Sequence, residues 1–268
     1  MTTGSLHVFV ASHDLLPPDK TAQIIAKFTG GVAIDARQKA KGAWGFLGEN
    51  LSDAEARRLA ALSGEMGVPA IVTDGAALFR PSAPVPVHWL RAAPEALYYI
   101  PGTTEKTERP VPWDAVRLLS AVPLKETTTF TEIVKEGPTP QQRAVGLGIM
   151  MVTGIPVGMG KSKEVKKTTS ETELFVYMDV FAHTPEGPLR LHVDGQKFNY
   201  GCLGDNRRPD IFGNFRMLMQ SVHGGLPPAA LRNHAVRGML AGKPLTALGY
   251  ESQGDYEKEI RWLLTPRA

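Results

Sequence analysis

The chain has 268 residues, 43% hydrophobic and 21% charged, with a net charge of +3. That length suits one large domain or two ordinary ones, and the balance excludes disorder over the whole chain. The mild positive excess falls far short of a dedicated nucleic-acid binder, and a single cysteine, Cys202, excludes an intramolecular disulfide and a cysteine-built zinc site.

Leu6 to Ala11 reads as a strand. Pro17-Pro18-Asp19 opens a helix with Ile24, Ile25 and Phe28 on one stripe, ended by Gly30-Gly31. Val32 to Asp35 and Trp44 to Leu47 are two further strand candidates, separated by the basic segment Arg37 to Lys41. Ser52 with Glu55 three residues on is a capping box, followed by Leu59, Leu62 and Met66 at helical spacing and Gly67 as a stop. Ala70 to Thr73 closes the series as a strand. The order βαββαβ is the ferredoxin-like arrangement, expected over residues 1–80 of an α+β protein. It lacks the cysteine pair of a metal carrier of that shape, and Phe9 and Phe46 read as core rather than as RNA-stacking platforms.

Prolines 81, 84 and 86 mark a domain boundary, with a β-rich domain with C-terminal helices expected over 81–268. Its first strands are Val87 to Arg91, Leu97 to Ile100 and Val111 to Ala121. The passage Val111-Pro112-Trp113-Asp114-Ala115-Val116 resembles bacterial pleckstrin-homology-like (PH-like) domains, which implies a half-barrel whose basic loops bind anionic head groups. Residues 125–142 read as a loop, 144–157 as a buried strand pair, and Leu174 to Phe181 as the most strand-like run of all. Leu189 to Tyr200 then reads as a tight hairpin, with Asp194-Gly195 as its type I′ turn. Helices follow over Asp210 to His223 (stripe Phe212, Phe215, Met219, Val222), Ala229 to Leu240, and Asp255 to Leu264.

Recognisable chemistry is sparse. Gly154 to Ser162 imitates a phosphate-binding loop, but five residues rather than four precede Gly160-Lys161-Ser162, and Pro156 removes an amide. Phe175 to Asp179 resembles the acidic strand of such a site only at the level found in any β-rich chain. None of the seven histidines sits in an HxH or HExxH relationship, and no Gly-x-Ser-x-Gly elbow is present. Cys202 reads as a small buried residue.

No metal and no cofactor are expected. The expected ligand-binding residues are the basic group Lys161, Lys163, Lys166 and Lys167 with Arg207 and Arg208, set against the bland alternative of a solvated loop. The function that follows is a non-catalytic binding or scaffold module. One alternative is an enzyme with a site at the domain seam, using Asp194, Arg207, Asn214 and His223. Another is anionic-ligand binding, of lipid or nucleotide, through the basic loop at 161–167. A protein partner is expected and nucleic acid is not. Met1 to Ser5 carries no signal-peptide pattern, and 144–159 is shorter than the roughly 20 apolar residues of a membrane span, so the expected location is cytoplasmic.

Overall fold

The structure, a computed structural model, describes residues 5–102, 104–136 and 163–267, with the backbone alone for 126–136 and 163–172. The chain is an α+β protein with two compact units, residues 1–125 with 174–268 and residues 126–173. In the described part of the second unit lie the far portions of the strands β7 (Val116–Glu136) and β8 (Lys163–Thr184).

The N-terminal part of the first unit holds a three-stranded antiparallel sheet. β1 (Leu6–Val10) lies in the middle, between β2 (Phe46–Leu51) and β3 (Ala70–Asp74). Three helices accompany it: α1 (Pro18–Thr29), α2 (Ala33–Lys41) and α3 (Asp53–Glu65). The expected capping box is present: Ser52 Oγ accepts from the Glu55 amide, and the Ser52 amide donates to Glu55 Oε2 at 2.9 Å. The four-stranded βαββαβ order is not formed, because Val32 to Asp35 is not a strand. Val32 caps α2 and Ile34 sits in its first turn, 64% and 75% exposed. What decides the conformation is the pair Ala36 and Ala40, one helical turn apart, which buries against Ala22 and Ile25 of α1. Tertiary packing of small residues overrides the β propensity of a four-residue run.

The remainder of this unit is built on a seven-stranded sheet ordered β10-β7-β8-β9-β4-β5-β6. Its further members are β4 (Pro84–Ala92), β5 (Ala96–Pro101), β6 (Arg109–Pro112), β9 (Gly187–Asp194) and the short β10 (Leu231–Arg232). β4 runs parallel to β9 and β10 parallel to β7, while β4–β5, β5–β6 and β8–β9 are antiparallel. The Val111 to Val116 passage forms the end of β6, a 3₁₀ turn over Trp113–Ala115 and the start of β7. Three helices follow: α4 (Ile211–Gly225), which packs on β4 and β5, α5 (His234–Leu240) and α6 (Gln253–Leu264). α5 is shorter than expected because Pro227-Pro228 leads into a turn and β10 first.

The proline-marked segment at 80–87 does not separate two cores. Phe9, Phe46 and Leu59 belong to the same buried cluster as Leu90, Val180, Phe215 and Trp262. α6 makes the join. The Trp262 indole donates to the carbonyl of Val10 at 3.1 Å, and its ring lies where a Cβ on Gly45 would fall. Trp44, in turn, donates to Asp255 at 3.0 Å.

The Asp194-Gly195 hairpin is not formed either. The observed hairpin joins β8 to β9 through Pro185-Glu186, with Gly187 at φ +120°. β9 ends at Asp194, the next residues form a turn, and Tyr200–Asn206 is a 3₁₀ run rather than a second strand. Gly195 is not in the left-handed region. Its amide donates to Val176 O at 2.8 Å, and a Cβ there would stand 2.6 Å from that oxygen. The position requires glycine for close approach rather than for a positive φ. Gly195→Ala is therefore expected to lower stability by about 1–3 kcal/mol through overpacking, measured by urea denaturation.

Candidate functional site

Among the described residues two carboxylates are fully buried, and both arise where an acid interrupts an apolar pattern. The first is Asp179, in Met178-Asp179-Val180 of β8. Register places His192 of β9 directly opposite and Arg190 diagonally across. Arg190 donates to Asp179 Oδ2 from Nε at 3.1 Å and from Nη2 at 2.7 Å, His192 Nδ1 lies 2.7 Å from Oδ1, and the Tyr256 hydroxyl of α6 donates to Oδ2. Burial alone would raise the Asp179 carboxyl. The hydrogen bond from His192 and the charge of Arg190 outweigh it and hold the group below the ordinary carboxylate value of 3.8. Burial and the same carboxylate push the Tyr256 hydroxyl well above its usual range.

The second is Glu259 of α6. Its Oε1 accepts from the His234 amide at 2.8 Å, and its Oε2 meets His234 Nδ1 at 2.7 Å and the Tyr250 hydroxyl at 2.5 Å. His234 Nε2 faces the carbonyl of Leu248 at 3.1 Å, so both ring nitrogens are committed. Asn233 completes the group. Its Nδ2 donates to Ala121 O at 2.7 Å, and its Oδ1 accepts from the amides of Ala121 and Val236, which pins α5 to β7. In both clusters the polar atoms are closed on one another, as buried ionic groups require.

The residues singled out for a seam enzyme do not converge. Asp194 accepts from the Gln196 amide and pairs with Lys197 at 3.2 Å in the turn after β9. Asn214 closes its own loop, accepting from the Arg208 amide at 2.7 Å and donating to the Arg208 carbonyl at 2.8 Å. His223 sits at the other end of α4, nine residues and so about 13 Å of helix rise away. Burial lowers its imidazole. Arg207 and Arg208 are exposed just before α4. Lys161 and the imitation phosphate loop at 154–162 lie outside the described residues, as do the side chains of Lys163, Lys166 and Lys167. Cys202 is half-buried, which pushes its thiol up. Among the described residues no group of three or more His, Cys, Asp or Glu is arranged to hold a metal ion, and no helix is long and apolar enough to cross a membrane.

One cleft stands out, of about 400 Å³. It lies where the start of β7 (Arg117), the end of β8 (Phe181, Ala182, His183) and the start of β9 (Pro188, Leu189) meet Ala229, Leu231 and the end of α6 (Leu263, Leu264). Phe79, Ser82, His13, Thr265, Pro266 and Arg267 complete its wall. No family model, no curated protein and no solved structure matches the chain.

Arg267 acts as a clasp. Its Nε donates to Ala11 O at 2.8 Å, Nη1 to Leu263 O at 3.2 Å, and it also donates to His13 Nε2. Burial and the charges of Arg267 and Arg237 push the His13 imidazole down, which suits a ring that accepts. Thr265 Oγ1 accepts from the Phe79 amide at 3.0 Å. Arg117, by contrast, is exposed, with no hydrogen bond or ion pair among the described residues. Sequence reasoning missed the cleft because its residues come from six separate stretches with no local spacing.

Asp179→Asn is expected to cost about 3–5 kcal/mol by leaving Arg190 buried without its counter-charge, read by urea denaturation at neutral pH. The folded-state carboxyl lies below its unfolded value, so its contribution is present above 3.8 and is lost as pH falls through the folded value. Acid unfolding of the wild type should accordingly include a step below pH 3.8 that the variant lacks.

Proposed function

We propose that the protein is a non-catalytic binding module that holds a small organic ligand in the cleft. The carrying observation is a contrast between the two kinds of polar group. The acids, imidazoles and tyrosines that resemble catalytic sets are closed on one another in the core. The cleft instead sets apolar walls beside Arg117, Ser82 and His183, whose side chains have no partner among the described residues, the usual character of a ligand pocket. No hydrogen-bonded acid–base or nucleophile–base pair is formed among its described lining residues: His13 is taken up by Arg267, Ser82 and His183 are not joined to one another, and none of the lining residues is Asp or Glu. A single half-buried cysteine is in keeping with a cytoplasmic setting.

A ligand-observed NMR screen of fragments against the full chain tests this reading. Hits should compete for one site and should be lost in Ala229→Trp, which fills the cleft from an exposed position on its wall. Hits unaffected by that variant would move the ligand site elsewhere. Chemical turnover of a bound fragment would overturn the non-catalytic part.

A second reading joins the pleckstrin-like resemblance to an anionic lipid surface. It is favoured by Arg207 and Arg208, exposed and without side-chain partners among the described residues, followed at the start of α4 by Ile211 and Phe212, each 41% exposed. Basic side chains beside exposed apolar ones suit a headgroup layer. Co-sedimentation with phosphatidylserine vesicles at low salt should then fall severalfold in the Arg207→Glu/Arg208→Glu variant. Equal sedimentation of both proteins would remove this reading.

A further inference from the structure

The cleft carries a more specific message about its ligand. None of its sixteen lining residues is Asp or Glu, whereas two are arginines. Arg267 is not available, since its donors are committed to main-chain carbonyls and to His13. Arg117 is. It stands near the start of β7, beside β8 in the sheet, and no acidic group among the described residues answers its charge. A guanidinium with free donors beside an apolar wall fits a planar two-oxygen anion, which it can hold with two parallel hydrogen bonds. One free guanidinium matches one negative charge; a phosphate dianion would call for a second free cation, and the other arginine of the wall is engaged.

The apolar side is equally defined. Phe79 and Phe181 meet edge to face, with ring centroids 6.3 Å apart, and Leu189 and Leu231 extend that surface. At about 400 Å³ the space lies near the small end of ligand pockets, which span roughly 300–1,000 Å³. It suits a single ring or a medium-length chain rather than a long acyl tail. The Ser82 hydroxyl and His183 imidazole on the same wall, unpartnered among the described residues, offer further polar contacts.

The geometry points to a site for a small amphipathic monocarboxylate, its carboxylate on Arg117 and its apolar body against Phe79, Phe181 and Leu189. This rests on the cleft being a ligand site at all, as proposed above.

The test is calorimetric titration of the full chain with 4-phenylbutyrate, its uncharged primary amide and 4-phenylbutyl phosphate. The acid should bind about ten- to a hundredfold more tightly than the amide, the range of a charge-assisted hydrogen-bonded contact, and at least as tightly as the phosphate. Arg117→Gln should remove that preference while leaving amide affinity unchanged. Arg117 is exposed, so this variant should keep the wild-type melting temperature. Ala229→Trp should abolish all binding. Equal affinity for acid and amide, or an acid preference that survives Arg117→Gln, would overturn the carboxylate assignment while leaving the cleft as a ligand site. Clearly tighter binding of the phosphate would overturn it in favour of a phosphate monoester. Binding of none of the three probes, up to their solubility limits, would overturn both this inference and the ligand-site reading.

Discussion

The structure depends on one charge removed from water. Asp179 lies inside the seven-stranded sheet, and an unpaired carboxylate there would be untenable. The groups that answer it come from two elements: Arg190 and His192 from β9, Tyr256 from α6. Satisfying that oxygen pair fixes the register of the β8–β9 hairpin, since a slip of one residue would turn Arg190 and His192 to the opposite face. It also fixes where α6 lies on the sheet. The Arg190 guanidinium, held against the carboxylate, rests 5.4 Å from the Phe181 ring centroid, and Phe181 is part of the cleft wall. The buried ionic group and the open site are thus neighbours along one strand. The ion pair therefore buttresses one wall of the cleft.

α6 is pinned twice more, by Glu259 to His234 and Tyr250, and by Trp262 to the carbonyl of Val10. Three anchors along a twelve-residue helix make it a rigid spine between the two sheets. The Arg267 clasp continues the same line beyond the helix, and it forms one side of the cleft. For the proposed ligand site, a wall anchored in this way would lower the ordering cost of binding.

Elements specified by local chemistry were legible in the sequence. The α3 capping box, the stripe of α6 and the apolar run of β8 depend on residues within a few positions of one another. What failed did so where distant packing decided. Val-Ala-Ile-Asp at 32–35 has strand-like composition, but two alanines further on find α1 and draw it into a helix. Asp-Gly at 194–195 has turn composition, yet the glycine is there because Val176 passes too close for a side chain. The proline-rich segment at 80–87 resembles a linker, yet it enters an edge of β4 and joins halves that share one core. The site was less legible than the fold. Asp179 was visible as an acid in an apolar strand, but its meaning lies in partners 11, 13 and 77 positions away. Arg117 carries no pattern at all, and only the absence of a counter-charge among the described residues distinguishes it.

The hydrogen bond from Trp262 to Val10 spans 252 positions. Closing a loop of that size carries an entropic cost before any contact rewards it, and contacts so remote in sequence slow folding. Without Trp262, the space beside Gly45 that its ring fills would stand empty. The three-stranded sheet at the start of the chain thus shares its core with the far end of the chain and is completed only by it.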